Sequence, residues 1–186
     1  MKTVDDLVDD ILDREGGFSD HPNDKGGATN HGISLRYALG IGLDLNGDGE
    51  TDKDDIALVT PEEAAVLYKQ DFFYGPRIHL LPECLHAQMF DISVNSGGFR
   101  AIQLLQKALN GANLPAIIEP LVVDGRMGPK TRREAEAFVR DLGCKAVNNF
   151  LVYERIWFYQ RIILNDPTQG VMREGWMKRA KEFCSI

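Results

Sequence analysis

The most regular feature of the chain is an apolar stripe near its start. Val4, Leu7, Val8, Ile11 and Leu12 recur at helical spacing and make one face of a first helix. Thr3 suits its N-cap, and Asp5 and Asp6 suit the positive end of its dipole. Gly16 and Gly17 end it. A loop rich in Gly, Asn and Asp covers 19–31, a short helix 35–39, and an acidic loop 44–55. Thr60-Pro61-Glu62-Glu63 predicts a helix start, with Thr60 as cap, Pro61 at the first helical position and Glu63 closing a capping box. That helix is expected to run to about Phe73. Another covers 82–96 and stops at Gly97-Gly98. Ile102, Leu105 and Leu109 mark a further helical face, 114–128 reads as loop, and helices fit 130–142, 145–165 and 171–184. Strands are scarce. The pattern predicts a mostly α protein with a seam near Gly97-Gly98, dividing it into 1–97 and 98–186.

Composition adds bounds. The 186 residues are 44% hydrophobic and 26% charged, enough to bury a core in one large or two small domains. A net charge of -7 argues against a general nucleic-acid binder. Cys84, Cys144 and Cys184 match neither a disulfide framework nor a zinc pattern, so free or buried thiols in a reducing compartment are expected. The N-terminus lacks the apolar stretch of a signal peptide. No run approaches the roughly 18 apolar residues of a membrane helix. The expectation is a chain made in the cytoplasm, without membrane insertion.

The chemistry concentrates around Glu15. It follows Leu12 by three residues and Ile11 by four, so it projects from the apolar side of the first helix, on its last turn. Apolar surroundings favour the protonated form of a carboxyl, the form a glycosidase acid must hold before it donates. The glycine pair leaves space above it. Asp24 is a candidate second carboxylate, to activate water or stabilise positive charge on a sugar ring, and Thr29 a candidate to hold that water. The plainer alternative is a surface glutamate and an ordinary loop aspartate.

Glu15-Gly16-Gly17-Phe18, with the run from Asp20 through Asp24, Thr29 and His31 to Ser34, resembles the start of glycoside hydrolase family 108, phage-associated N-acetylmuramidases once described as secretion activators. The resemblance implies a lysozyme-like helical catalytic domain with its acid at Glu15. The order Glu, Asp, Thr also resembles phage-type lysozymes. The Asp-to-Thr gap of four is one residue short, so Asn30 competes with Thr29. Phe90 to Gly97 resembles the helix packing across the family's cleft, where Asn95 binds a sugar or caps the helix. Tyr68 and Tyr37 are sugar-stacking candidates or core. His21, His31, His79 and His86 lack metal-ligand spacing.

Residues 44–55 have the spacing of an EF-hand loop. Asp44, Asn46 and Asp48 fall at positions 1, 3 and 5, Gly49 at the sharp turn, Glu50 at 7, and Asp55 replaces the usual Glu at 12. The loop sets six acidic residues against one lysine, which concentrates much of the chain's charge. A structural Ca²⁺ is expected, with an acidic solvated turn as the alternative; catalysis is expected to need no cofactor.

From about Gly98 onward the chain resembles the small helical peptidoglycan-binding module that accompanies this catalytic domain. Gln103 to Leu109 and Val122 to Thr131 carry the likeness. Asp124-Gly125 reads equally as a turn and Pro129 as a helix start. Phe150, Tyr153, Trp157 and Phe158 are read as core. The expectation is a muramidase acting on peptidoglycan, released through a holin-type pore or by lysis and active on the wall. Its rivals are a catalytically silent wall-binding scaffold or secretion factor, and a calcium-dependent interaction protein. Oligomeric state is not legible in the sequence.

Overall fold

A computed structural model describes residues 2–20, 27–111 and 119–184. The chain divides into two compact units, residues 2–70 and residues 71–186. Both are mostly helical, as the periodicity predicts.

In the first unit, α1 (Val4–Glu15) opens with a capping box between Thr3 and Asp6. The Thr3 amide and hydroxyl donate to the Asp6 carboxylate, which holds that carboxyl below its usual range. Leu7, Val8 and Ile11 form the buried face. A short antiparallel hairpin follows, β1 (Thr29–Asn30) and β2 (Ile33–Ser34). Its two-residue turn, His31-Gly32, has φ of +47° and +77°. Positive φ at both central residues is what a type I′ turn requires. Strands of two residues are too short to show alternation, so this hairpin was expected as loop. Helices α2 (Leu35–Ile41), α3 (Lys53–Leu58) and α4 (Pro61–Leu67) complete the unit. The predicted Thr60–Glu63 box is present, with Thr60 N–H donating to Glu63 over 2.8 Å. The chain does not continue as α-helix to Phe73: from Tyr68 to Tyr74 it widens into a π-helix. Such segments recur at functional sites.

In the second unit, two single 3₁₀ turns (Ile78–Leu80 and Glu83–Leu85) lead into α5 (His86–Ser96). Then come α6 (Gly98–Gly111), α7 (Pro129–Leu142), α8 (Cys144–Asn165), a 3₁₀ segment (Pro167–Met172) and α9 (Arg173–Lys181). Gly97, at φ +83°, ends α5, and α6 turns back to pack on it. Met89, Phe90, Ile102, Leu105, Phe138 and Leu151 are among the buried core. One polar network lies within it. Arg155 on α8, fully buried, pairs with Asp91 on α5 at 2.6 Å, and Arg179 on α9 reaches the other Asp91 oxygen at 2.9 Å.

Two sequence expectations are corrected here. Cys84 and Cys144 form a disulfide, with Cα atoms 6.0 Å apart across a separation of 60 residues. Cys184 is the free, exposed thiol. Pairing depends on the packing of the 83–85 turn against α8, which spacing does not encode; Asn148 donates to both cysteine carbonyls at 3.0 Å. The α8 aromatics are not all core either: Tyr153 and Trp157 are exposed, and Phe150 and Phe158 half-buried.

Candidate active site

Glu15 is the last residue of α1, half-buried and in line with buried Ile11. Gly16, at φ +71°, ends the helix, and a methyl added at Gly16 or Gly17 would meet nothing within 4 Å. Among the described residues, the space above both glycines is open. The hairpin turn closes on the Glu15 stem. A Cβ at Gly32 would lie 2.9 Å from Glu15 Cγ and 2.0 Å from the Tyr68 hydroxyl, so only glycine fits, and its φ of +77° favours glycine as well. Tyr68 is 1% exposed and donates its hydroxyl to the His31 carbonyl over 2.9 Å. Gly32 thus belongs to the site and was missed; the sequence signal is Asn-His-Gly-Ile, a turn between two short apolar ends.

The loop after α1 is pinned at its ends. Ser19 and Thr29 exchange backbone hydrogen bonds of 2.7 and 2.8 Å. Thr29 is half-buried, and its hydroxyl donates to the Gly27 carbonyl at 3.4 Å. Asp24 and His21 lie outside the described residues. Asn30 is buried and donates its amide to the carbonyls of Val59 (3.0 Å) and Ala57 (3.4 Å), fastening the hairpin to the α3–α4 joint. Asn30 and Tyr68, expected at the substrate, therefore present their polar groups to the fold; no ring face of Tyr68 is open to a sugar. Asn95, on α5, accepts from the Tyr159 hydroxyl at 2.7 Å and from Ser96 at 3.3 Å, while Gly97 is the C-cap.

The acidic loop closes on itself. Asp44 accepts from the amides of Gly47 (2.7 Å) and Gly49 (3.0 Å). Asn46 accepts from Asp48 N–H and Asp48 from Glu50 N–H, each at 2.9 Å. Asp55, expected as the last calcium ligand, is buried and accepts amides from Leu45 (2.8 Å), Asn46 (3.2 Å) and Asp52 (2.8 Å). It closes the capping box of α3. These bonds, that from Asp52 first, hold its carboxyl below the usual range. Among the described residues, no three His, Cys, Asp or Glu side chains are grouped to hold a metal ion. None of the described helices is long and apolar enough to cross a membrane.

In the second unit, Gln106 organises the Asp124-Gly125-Arg126 loop. Its amide donates to Asp124 (2.8 Å), to the Arg126 carbonyl (3.2 Å) and to Thr131 (3.2 Å), and its oxygen accepts from Gly125 N–H (2.9 Å). The turn-and-helix-start reading of these residues accounts for them.

No curated protein matches the chain. Among solved structures, that of Brucella abortus SagA superposes with a TM-score of 0.76 at 24% identity, covering 97% of this chain and 90% of that one. At that identity the likeness is one of fold. The model for glycosyl hydrolase 108 matches residues 8–97, and the model for a predicted peptidoglycan domain matches 100–181. Residues 8–97 are therefore a glycosyl hydrolase 108 segment, and residues 100–181 after it a predicted peptidoglycan domain.

Proposed function

We propose that this protein hydrolyses the β-1,4 bond between N-acetylmuramic acid and N-acetylglucosamine in peptidoglycan, with Glu15 as the general acid. The observation that carries this reading is the seat of Glu15. Its stem is clamped by the Gly32 turn, and among the described residues the space above Gly16 and Gly17 is open. A carboxyl so placed can protonate the leaving oxygen of a glycan strand lying over the glycine pair. Asp24 is assigned to assist water or steady the oxocarbenium-like transition state, and Thr29 to position that water. Tyr68 and Asn30 act as positioning residues, because they hold the turn that clamps the acid. Delivery through a holin-type pore or by lysis belongs to the same proposal.

Removing the acid without changing its shape tests the reading. Purified parent should clear peptidoglycan and leave muramic acid at new reducing ends. Glu15→Gln should lose about 10²- to 10⁴-fold in rate, the share general acid catalysis supplies, with an unchanged melting temperature. Parent protein that clears nothing, or a Glu15→Gln variant that clears equally well, would return the chain to the rival reading of a wall-binding scaffold.

A structural Ca²⁺ at Asp44, Asn46, Asp48, Glu50 and Asp55 is kept as a separate proposal. It is supported by the turns at positions 1, 3 and 5, whose carboxyl and amide oxygens accept loop N–H groups and so hold the loop curled. No catalytic step runs through it.

A further inference from the structure

α8 carries two large aromatic side chains on its solvent side. Trp157 is 62% exposed and Tyr153, one turn earlier, 65% exposed. Residues four apart on a helix lie on one face. Beside Trp157 runs an open groove of about 480 Å³, lined by Lys107, Asn110, Gly111, Glu154, Trp157 and Arg161. One lining side chain is held in place: Asn110 donates to the Leu121 carbonyl (2.9 Å) and accepts from Leu121 N–H (2.8 Å). Its rim is cationic. Lys107 and Arg161 face one carboxylate, Glu154. Partial burial and the nearby Arg161 push the Lys107 ammonium below its ordinary value, and among the lining residues two cations stand against one carboxylate.

An exposed indole offers an apolar face to the C–H side of a pyranose ring, and the paired cations offer a seat for a carboxylate. Every lining residue lies within the segment that matches the predicted peptidoglycan domain. We propose that this groove is a glycan-binding subsite for an acidic β-1,4-linked amino-sugar strand, with Trp157 as the stacking platform, extended by Tyr153, and Lys107 and Arg161 as the carboxylate seat. The ligand class rests on the peptidoglycan reading given above. It does not rest on Glu15 being catalytic. The subsite would hold the strand while the hydrolase segment acts.

The test uses the full chain carrying Glu15→Gln, so that binding is read without hydrolysis. Binding to purified peptidoglycan sacculi, and to soluble muropeptides by calorimetry, is compared after adding Trp157→Ala, Arg161→Ala or Lys107→Met. Trp157 and Arg161 are exposed, so these changes should leave the melting temperature unchanged. Trp157→Ala should weaken binding about tenfold and each cation change about fivefold, the range of one well-placed contact. Trp157 fluorescence should become shielded from acrylamide when muropeptide is added. Neutral chitooligosaccharides and muropeptides with amidated carboxyls should bind less well than acidic muropeptides. Unchanged binding in folded Trp157→Ala, or equal affinity for neutral and acidic ligands, would overturn the proposal. The hydrolase reading fails separately, through parent protein that clears no wall while the Glu15→Gln chain still binds through Trp157.

Discussion

The Tyr68 hydroxyl donates to the His31 carbonyl over 2.9 Å, bringing the π-helical segment after α4 directly onto the hairpin turn that clamps Glu15. The bond fixes the turn from one side, while Asn30 fixes its strand from the other through Val59. Glu15 thus sits against backbone that two distant segments hold in place. A position defined this way is sensitive to changes that never touch the carboxyl.

Tyr68→Phe removes one hydrogen bond and keeps the packing. It should cost about 1 kcal/mol of stability. Gly32→Ala should cost more, about 2 kcal/mol or above, since it adds a strained φ to a side-chain clash. If Glu15 is the acid, both should lower kcat more than they raise KM, because the acid's aim matters most in the transition state. Chemical denaturation and wall-clearing kinetics check the pair. A Gly32→Ala variant with parent stability and rate would show the turn is not a clamp.

The disulfide makes a separate prediction. Closing a span of 60 residues stabilises the folded chain by up to about 4 kcal/mol in the chain-entropy model. Reducing agent should therefore lower the unfolding midpoint of the parent. Cys84→Ser/Cys144→Ser should reproduce that loss and become insensitive to reductant. Cys184→Ser should change nothing, since Cys184 is exposed and unbridged. The parent should titrate three thiols under reducing denaturing conditions and one, Cys184, when unfolded without reductant.

What could be read in advance was local. The Thr3 and Thr60 caps, and the placing of Glu15 beside Ile11, depend on residues three or four apart, and sequence carries that spacing directly. Gly32 meets Glu15 and Tyr68 only through the fold, so its part in the site was invisible. Asp55 shows one position with two local readings: it fits the last residue of a calcium loop and N3 of a capping box, and the box is formed. α8 has apolar residues around much of its circumference, so no pattern told that Trp157 faces solvent while Val152 and Tyr159 are buried. The hydrolase segment matched by family ends at residue 97, whereas the compact units divide after residue 70. α5 is matched with the first part and packs on α6 of the second.

Acid should loosen the 44–59 region. Backbone donors, that of Asp52 first, hold the Asp55 carboxyl below its ordinary value. A depressed carboxyl contributes stability that is fully present above its unfolded value and is lost as pH falls through the folded one. The loss should therefore begin near pH 4 and grow below it. Asp55→Asn should flatten that part of the acid-unfolding profile. The calcium proposal is read on the same region: added Ca²⁺ should raise the midpoint of the parent, and Asp44→Ala and Asp48→Ala should abolish the rise. Calorimetric silence with Ca²⁺, together with unaltered midpoints in both variants, would sink it.

The last prediction concerns the charge network in the core of the second unit. Arg155 is fully buried between Asp91 and the Tyr159 hydroxyl, which its Nε reaches at 2.7 Å. The Tyr159 hydroxyl donates a hydrogen bond to Asn95, and its ring stacks on Trp176, with ring centres 5.0 Å apart. Arg155→Met would strand a buried carboxylate that Arg179 neutralises only from one side. Breaking a buried pair this way costs about 3 to 5 kcal/mol. Removing both charges, in Arg155→Met/Asp91→Leu, should cost less than the single change, because Arg179 is partly exposed and can turn to water. The two substitutions should be strongly non-additive in urea unfolding. A double variant that loses the sum of its singles would mean that α5 and α8 are held by packing alone and that the ion pair is incidental to it.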